Sequence, residues 1–238
     1  MTNTYVCIDL ETTGLNSKRD KIIEIGAVKV EQGKIVAEWE TFVNPGRKLE
    51  ERITELTGIR DEQLADAQVI SDLLPALFAF LGDHVLLGHC ILFDYSFLKK
   101  AAVNEKMRFE RQGIDTLKIA RKYLQGLKSR SLGALCKYYG ISHNAHRALA
   151  DARATAALYE KLSEDFLEKE EAEGEKSLFR PKPLIYRAKR DTPITIAQRE
   201  QLYKLLDRHK LVADYKIESL TRGEASRKID RILAEYGR

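Results

Sequence analysis

The chain has 238 residues, 44% hydrophobic and 32% charged, the make-up of a globular protein with one sizeable core and room for a small appendage. No apolar run is long enough to span a membrane and no signal-peptide core opens the chain, so a cytoplasmic protein is expected. The net charge of +4 is uneven: residues 176–238 hold 16 Lys+Arg against 8 Asp+Glu, a basic tail suited to a polyanionic partner, while the body before it is slightly acidic.

Taken in order, TYVCIDL reads as a strand buried on both faces. KIIEIGAVKV and KIVAEWETFV follow as two more strands, with Glu31-Gln32-Gly33 as the hairpin turn between them. Asn44-Pro45-Gly46 ends this meander. From about Ile53 to Leu81 the periodicity is helical, and HVLLGH is a short apolar strand. FDYSFLKKAAV forms a helix with Phe93, Phe97, Leu98 and Ala101 on one stripe. SLGALCKYYG is a helix closed by Gly140, and Ala148 to Leu167 reads as a long helix. Strands first and helices interleaved later predict an α/β domain over 1–168: a mixed sheet flanked by helices. Cys7, Cys90 and Cys136 are scattered, which predicts reduced, buried side chains rather than disulfides or zinc.

After Leu167 the composition shifts. EKEEAEGEKS is a charge run, and LFRPKPLIYRAKRDTP mixes prolines with basic and aromatic residues, so 169–193 reads as a charged, basic linker. Thr195-x-x-Gln198 and Thr221-x-x-Glu224 are capping-box patterns that open two helices of a small module over 194–238. A module of that size is marginal as an independent core.

The chemistry concentrates at element ends. Alternation along a strand points Asp9 and Glu11 the same way, and two carboxylates side by side make sense around a hard cation such as Mg²⁺ or Mn²⁺. Asp94 opens the Phe93 helix; Asp151 lies in the first turns of the last long helix, with His146 five residues before it on the preceding loop. Singly, each has a plain alternative: Asp-x-Glu as a strand cap in solvent, Asp94 as a helix cap, His146 as a surface histidine.

Together, DLETTGL, the HCILFD segment and HRALAD resemble the three motifs of the DEDDh exonuclease superfamily, over roughly residues 1–168. ITELTGI, between the first two motifs, also resembles a family loop near the site. DLETTGL is most similar to proofreading-type DNA exonucleases, such as the epsilon subunit of DNA polymerase III and the exonuclease domain of PolC. The resemblance implies a ribonuclease H-like fold and two-metal hydrolysis of DNA from a single-stranded or frayed 3′ end to nucleoside 5′-monophosphates. It assigns Asp9, Glu11, Asp94 and Asp151 to two Mg²⁺ or Mn²⁺ ions and His146 to the general base. Leu10, Thr12, Thr13, Gly14, Leu15, His89 and Phe93 become substrate-binding candidates, with Leu15 wedged against the last base. A plain turn explains Gly14 equally well, and a helix-start hydrogen bond explains His89. No catalytic position of the pattern is broken.

The implied partners are DNA 3′ ends and a DNA polymerase or other replication or repair protein. Two alternatives remain: the same chemistry on RNA or short oligoribonucleotides, and a nucleic-acid-binding protein whose grip is the tail. In the second, Arg180, Lys182, Arg187, Lys189 and Arg190 track phosphates while Phe179 and Tyr186 stack on bases.

Overall fold

The computed structural model describes residues 2–143, 146–171, 174, 177–213 and 215–237. The apolar run at the start becomes β1 (Tyr5–Thr12), followed by β2 (Ile22–Glu31) and β3 (Lys34–Phe42). The β2–β3 hairpin turns at Gln32-Gly33, where φ is +50° and +76°; this left-handed pair gives the twist a two-residue hairpin needs. The expected helical stretch is broken into α1 (Glu51–Thr57), α2 (Asp61–Ala65) and α3 (Ile70–Leu81). Gly58, left-handed at φ +71°, closes α1 and accounts for the first break.

β4 (Leu86–Gly88) and α4 (Leu92–Asn104) follow, then β5 (Gln112–Asp115), α5 (Thr116–Tyr123), α6 (Leu132–Tyr139) and α7 (Ala148–Glu171). β5 and α5 had no counterpart among the sequence expectations. A four-residue strand running directly into a helix is too short to display a period of its own. Asp115 makes the junction, its carboxylate accepting the Leu117 N–H at 3.0 Å as a helix cap.

The sheet order is β3-β2-β1-β4-β5-β6, where β6 is Lys182–Pro183. β1, β4 and β5 run parallel, and the remaining neighbours are antiparallel. Val6, Ile8 and Leu10 pack with α3 and α4 on one face; Tyr5 and Cys7 pack with α5, α6 and α7 on the other. β1 is thus buried on both sides, as its continuous apolar run requires. Cys7 and Cys136 are buried, but Cys90 is exposed, because it sits in a left-handed turn (φ +74°) just after β4.

The chain divides into two compact units, Met1–Ala188 and Lys189–Arg238. Part of the stretch expected as linker therefore belongs to the first unit. Phe179 is buried at 2% exposure against Tyr159, so it holds the core and presents no face for stacking on bases. β6 adds to the sheet edge, and Leu184 lies over Gly113, where a β-carbon would come within 2.8 Å of it. Within the charge run, Ala172, Glu173, Glu175 and Lys176 lie outside the described residues.

The second unit holds α8 (Ile196–Arg208), a 3₁₀ turn (Ile217–Ser219) and α9 (Arg222–Tyr236). Both expected capping boxes form, at Thr195 with Gln198 and at Thr221 with Glu224. Leu202, Leu205, Ile217, Leu220, Ala225, Ile229 and Ile232 make its small core. No helix among the described residues is long and apolar enough to cross a membrane.

Candidate active site

The acidic residues meet toward the C-terminal ends of the parallel neighbours β1 and β4. Asp9 and Glu11 project from β1 toward the α7 face. Burial, and the nearby Asp94, Asp151 and Glu11, push the Asp9 carboxyl well above the usual carboxylate range. Burial also raises Glu11, to about 7, with Asp151 and Glu24 adding repulsion and Arg147 opposing it.

Asp94 reaches the same place from the other side of the sheet. Ile91 rather than Asp94 occupies the N-cap of α4, and it makes no side-chain cap bond. Asp94, 3% exposed, instead turns inward, and its Oδ1 accepts the backbone N–H of Leu10 at 3.1 Å. Burial, reinforced by Asp115 and Glu11, lifts its carboxyl far above the ordinary value despite that bond. Asp151 enters from the first turn of α7, buried at 8% exposure. Donor atoms of Glu11, His146 and Asp151 all lie within 4.8 Å of one another, close enough to share an ion.

Asp151 is held from both sides. Its Oδ2 accepts the backbone N–H of His146 at 3.2 Å, and its Oδ1 bonds Nε2 of His143. His146 is exposed and has φ +66°, a left-handed conformation uncommon outside glycine that turns the chain sharply just before α7. The sequence placed His146 at the site and missed His143. A histidine eight residues from Asp151 carries no signal until the loop folds back.

Glu24 and Arg147 were also missed. Glu24 faces Glu11 across the β1–β2 ladder and is 1% exposed. Its Oε1 accepts Arg147 Nε at 3.0 Å and a terminal Arg147 nitrogen at 2.8 Å, and its Oε2 accepts the N–H of Ala148 at 3.0 Å. One carboxylate thereby caps α7 and pairs the arginine beside His146. Gly26, opposite Asp9, lets α7 sit down on the strand: a β-carbon there would lie 2.1 Å from the Ala148 carbonyl carbon. An acid and a glycine inside the apolar run IIEIGAV were the available signals.

Among the substrate candidates, Thr12 and Thr13 are buried and shape the turn that follows β1. The Thr12 hydroxyl donates to the Gly14 carbonyl at 2.7 Å, while Thr13 Oγ1 accepts from Lys21 N at 3.0 Å and from Arg47. Gly14 has no space for a β-carbon, which would stand 2.6 Å from the Asp20 carboxylate. Leu15 projects into solvent at 87% exposure, and Leu10 is buried with only its N–H turned toward Asp94. Phe93 packs against Phe97 and the core. His89 has both ring nitrogens engaged: Nε2 donates to the Arg130 carbonyl and Nδ1 bonds Thr116 Oγ1, each at 2.9 Å. Burial lowers its pKa, which favours the neutral ring. The hydrogen-bonding reading of His89 accounts for its contacts here.

An exonuclease family model of the RNase T type matches residues 6–159. The chain is 41% identical over 166 residues to a PolC-type DNA polymerase III of Caldanaerobacter subterraneus, covering 69% of this chain and 12% of that one. The DNA polymerase III epsilon subunit of Aquifex aeolicus is 38% identical over 164 residues, covering 68% and 81%. A solved structure of exonuclease X with 5′-overhanging duplex DNA superposes with a TM-score of 0.57 at 29% identity, covering 68% and 92%. With its ribonuclease H-like α/β sheet, the chain belongs to the RNase T-type exonuclease family.

Proposed function

We propose that this chain removes nucleotides one at a time from the 3′ end of single-stranded or frayed DNA, as a two-metal exonuclease serving proofreading or repair. The convergence of Asp9, Glu11, Asp94 and Asp151 at the end of β1 is the observation that carries this reading. Four carboxylates with Arg147 as the nearby cation form an oxygen-rich donor set suited to a hard divalent ion. The raised carboxyls of Asp9, Glu11 and Asp94 support the fit, since each gains a counter-charge when a cation binds. Bound Mg²⁺ or Mn²⁺ would activate the attacking water and stabilise the departing 3′ oxygen.

The chain's own residues do the rest. Asp9, Glu11, Asp94 and Asp151 would hold the ions. His146, exposed and beside Asp151, would take the proton from water as general base. His143 and the His146 N–H fix both oxygens of Asp151, so this ligand is preset. Leu15, exposed on its turn, would press against the terminal base and keep the strand end unstacked.

PolC-type and epsilon relatives support a cytoplasmic partnership with a DNA polymerase. The test is digestion of matched DNA and RNA oligonucleotides, labelled at either end, with and without Mg²⁺. The reading expects loss of the 3′ label first, 5′-monophosphate products, faster loss of DNA and no reaction in chelator. Faster RNA loss would move the substrate to RNA, and metal-independent cleavage would end the two-metal account.

A further inference from the structure

The turn that carries Leu15 is braced by a segment outside the family match, which ends at residue 159. After β6, Leu184 N donates to the Arg111 carbonyl at 2.9 Å, and Leu184 and Tyr186 pack against the core cluster that contains Leu10 and Ile91. The Tyr186 hydroxyl then hydrogen-bonds the hydroxyl of buried Ser17 at 2.8 Å. Ser17 lies inside a tight turn: Arg19 N and Asp20 N both donate to the Asn16 carbonyl at 2.8 Å, and Asn16 N donates to Asp20 Oδ2 at 2.9 Å. One bond therefore joins two preset backbones 169 residues apart in sequence.

This junction gathers a particular set of side chains. Lys18 and Arg19 follow Ser17, and Arg187 follows Tyr186; all three are exposed and make no ion pair among the described residues. Leu15 at 87% exposure and Ile185 at 77% stand beside them as apolar surfaces. Exposed cations interleaved with exposed apolar side chains, next to an acidic hollow that would repel a polyanion, fit a nucleic-acid backbone with its bases.

We propose that the turn 16–20 and the strap 182–187 form a ledge that holds the nucleotides of a single strand upstream of its 3′ end, with Lys18, Arg19 and Arg187 on phosphates. The Tyr186–Ser17 bond keeps the two halves of the ledge in register. This rests on the exonuclease reading and adds where the strand runs beyond the terminal residue.

The test measures binding of dT12 and of dT2 to the full chain by fluorescence anisotropy, without added divalent metal, across a salt series. The variants are K18A/R19A, R187A and Y186F, each checked for unchanged circular dichroism. Removing one phosphate contact should flatten the slope of log K against log salt by about 0.7, so the double variant should lose about twice that. Y186F, which removes one hydrogen bond and keeps the ring, should weaken dT12 binding about fivefold. In every variant the dT12-to-dT2 affinity ratio should fall. Unchanged slopes, or equal weakening for both lengths, would overturn the ledge. Parallel digestion of dT12 by the unmodified chain in Mg²⁺ separates the two claims: hydrolysis with unaltered variants sinks only the ledge, whereas no hydrolysis sinks the exonuclease reading itself.

Discussion

The most demanding test of the site is a single methyl group placed at Gly26. Glycine at this position opposes Asp9 in the sheet, and the start of α7 rests on it. An alanine β-carbon would stand 2.1 Å from the Ala148 carbonyl carbon, 2.1 Å from the Leu149 nitrogen and 2.4 Å from the Ala148 oxygen. Carbon atoms in ordinary contact are about 3.5–4 Å apart, so the helix start must retreat by roughly 1.4 Å or more. All three atoms are backbone, and no side chain can swing aside. Overpacking of this kind costs about 1–3 kcal/mol, equivalent to about 2–12 °C in Tm for a unit of this size. The retreat also stretches the 3.0 Å bond from Ala148 N to Glu24 and carries Asp151 and His146 away from Asp9 and Glu11. A displacement near 1 Å at reacting groups is worth about 10² in rate. Gly26→Ala should therefore lower both Tm and the Mg²⁺-dependent hydrolysis rate of a labelled oligonucleotide. Gly126→Ala, where no atom lies within 4 Å of the new carbon, serves as the control and should change neither. A Gly26→Ala protein with the parent rate and Tm would show that α7 does not sit where Asp151 needs it.

Asp9→Ala should abolish hydrolysis and leave Tm unchanged or higher in chelator, because removing one carboxylate relieves the repulsion that raises its neighbours; residual activity above about 1% counts against its role. His146→Ala should slow kcat by about 10² to 10⁴, the usual worth of a general base, as read in single-turnover digestion at saturating Mg²⁺. Glu24→Gln should destabilise by about 1–3 kcal/mol, since it weakens three hydrogen bonds to a buried carboxylate; an unchanged denaturation midpoint would contradict the clamp. Without metal, stability should fall as pH rises. Glu11 titrates near 4.5 unfolded and about 7 folded, so the folded state holds its proton longer; the penalty is absent below pH 4.5, grows toward pH 7 and is complete above it. Glu11 alone then contributes on the order of 3 kcal/mol of instability at pH 8. Thermal melts at pH 5.5 and 8 should show the larger Mg²⁺-induced gain at pH 8, and an equal gain at both would refute the electrostatic account.

The sequence by itself determined the parts that depend on local periodicity. Alternation put Asp9 and Glu11 on one face of β1, Glu31-Gln32-Gly33 marked the β2–β3 hairpin, and the Thr195 and Thr221 boxes marked two helix starts. The resemblance of the three motifs to an exonuclease family pointed to Asp94, His146 and Asp151. Local signals could not decide what each side chain touches. Asp94 looks like a helix cap in sequence, yet it spends its carboxylate on Leu10, 84 residues away. Glu24 reads as one acid among apolar neighbours until α7 lands on it, and His143 becomes part of the site only when the loop before α7 turns back through His146. Phe179 and β6 looked like linker because a two-residue strand has no period and a lone buried ring has no pattern. Faces and caps are set within a few residues of backbone. Partners across the chain are set by packing, which only the tertiary structure fixes.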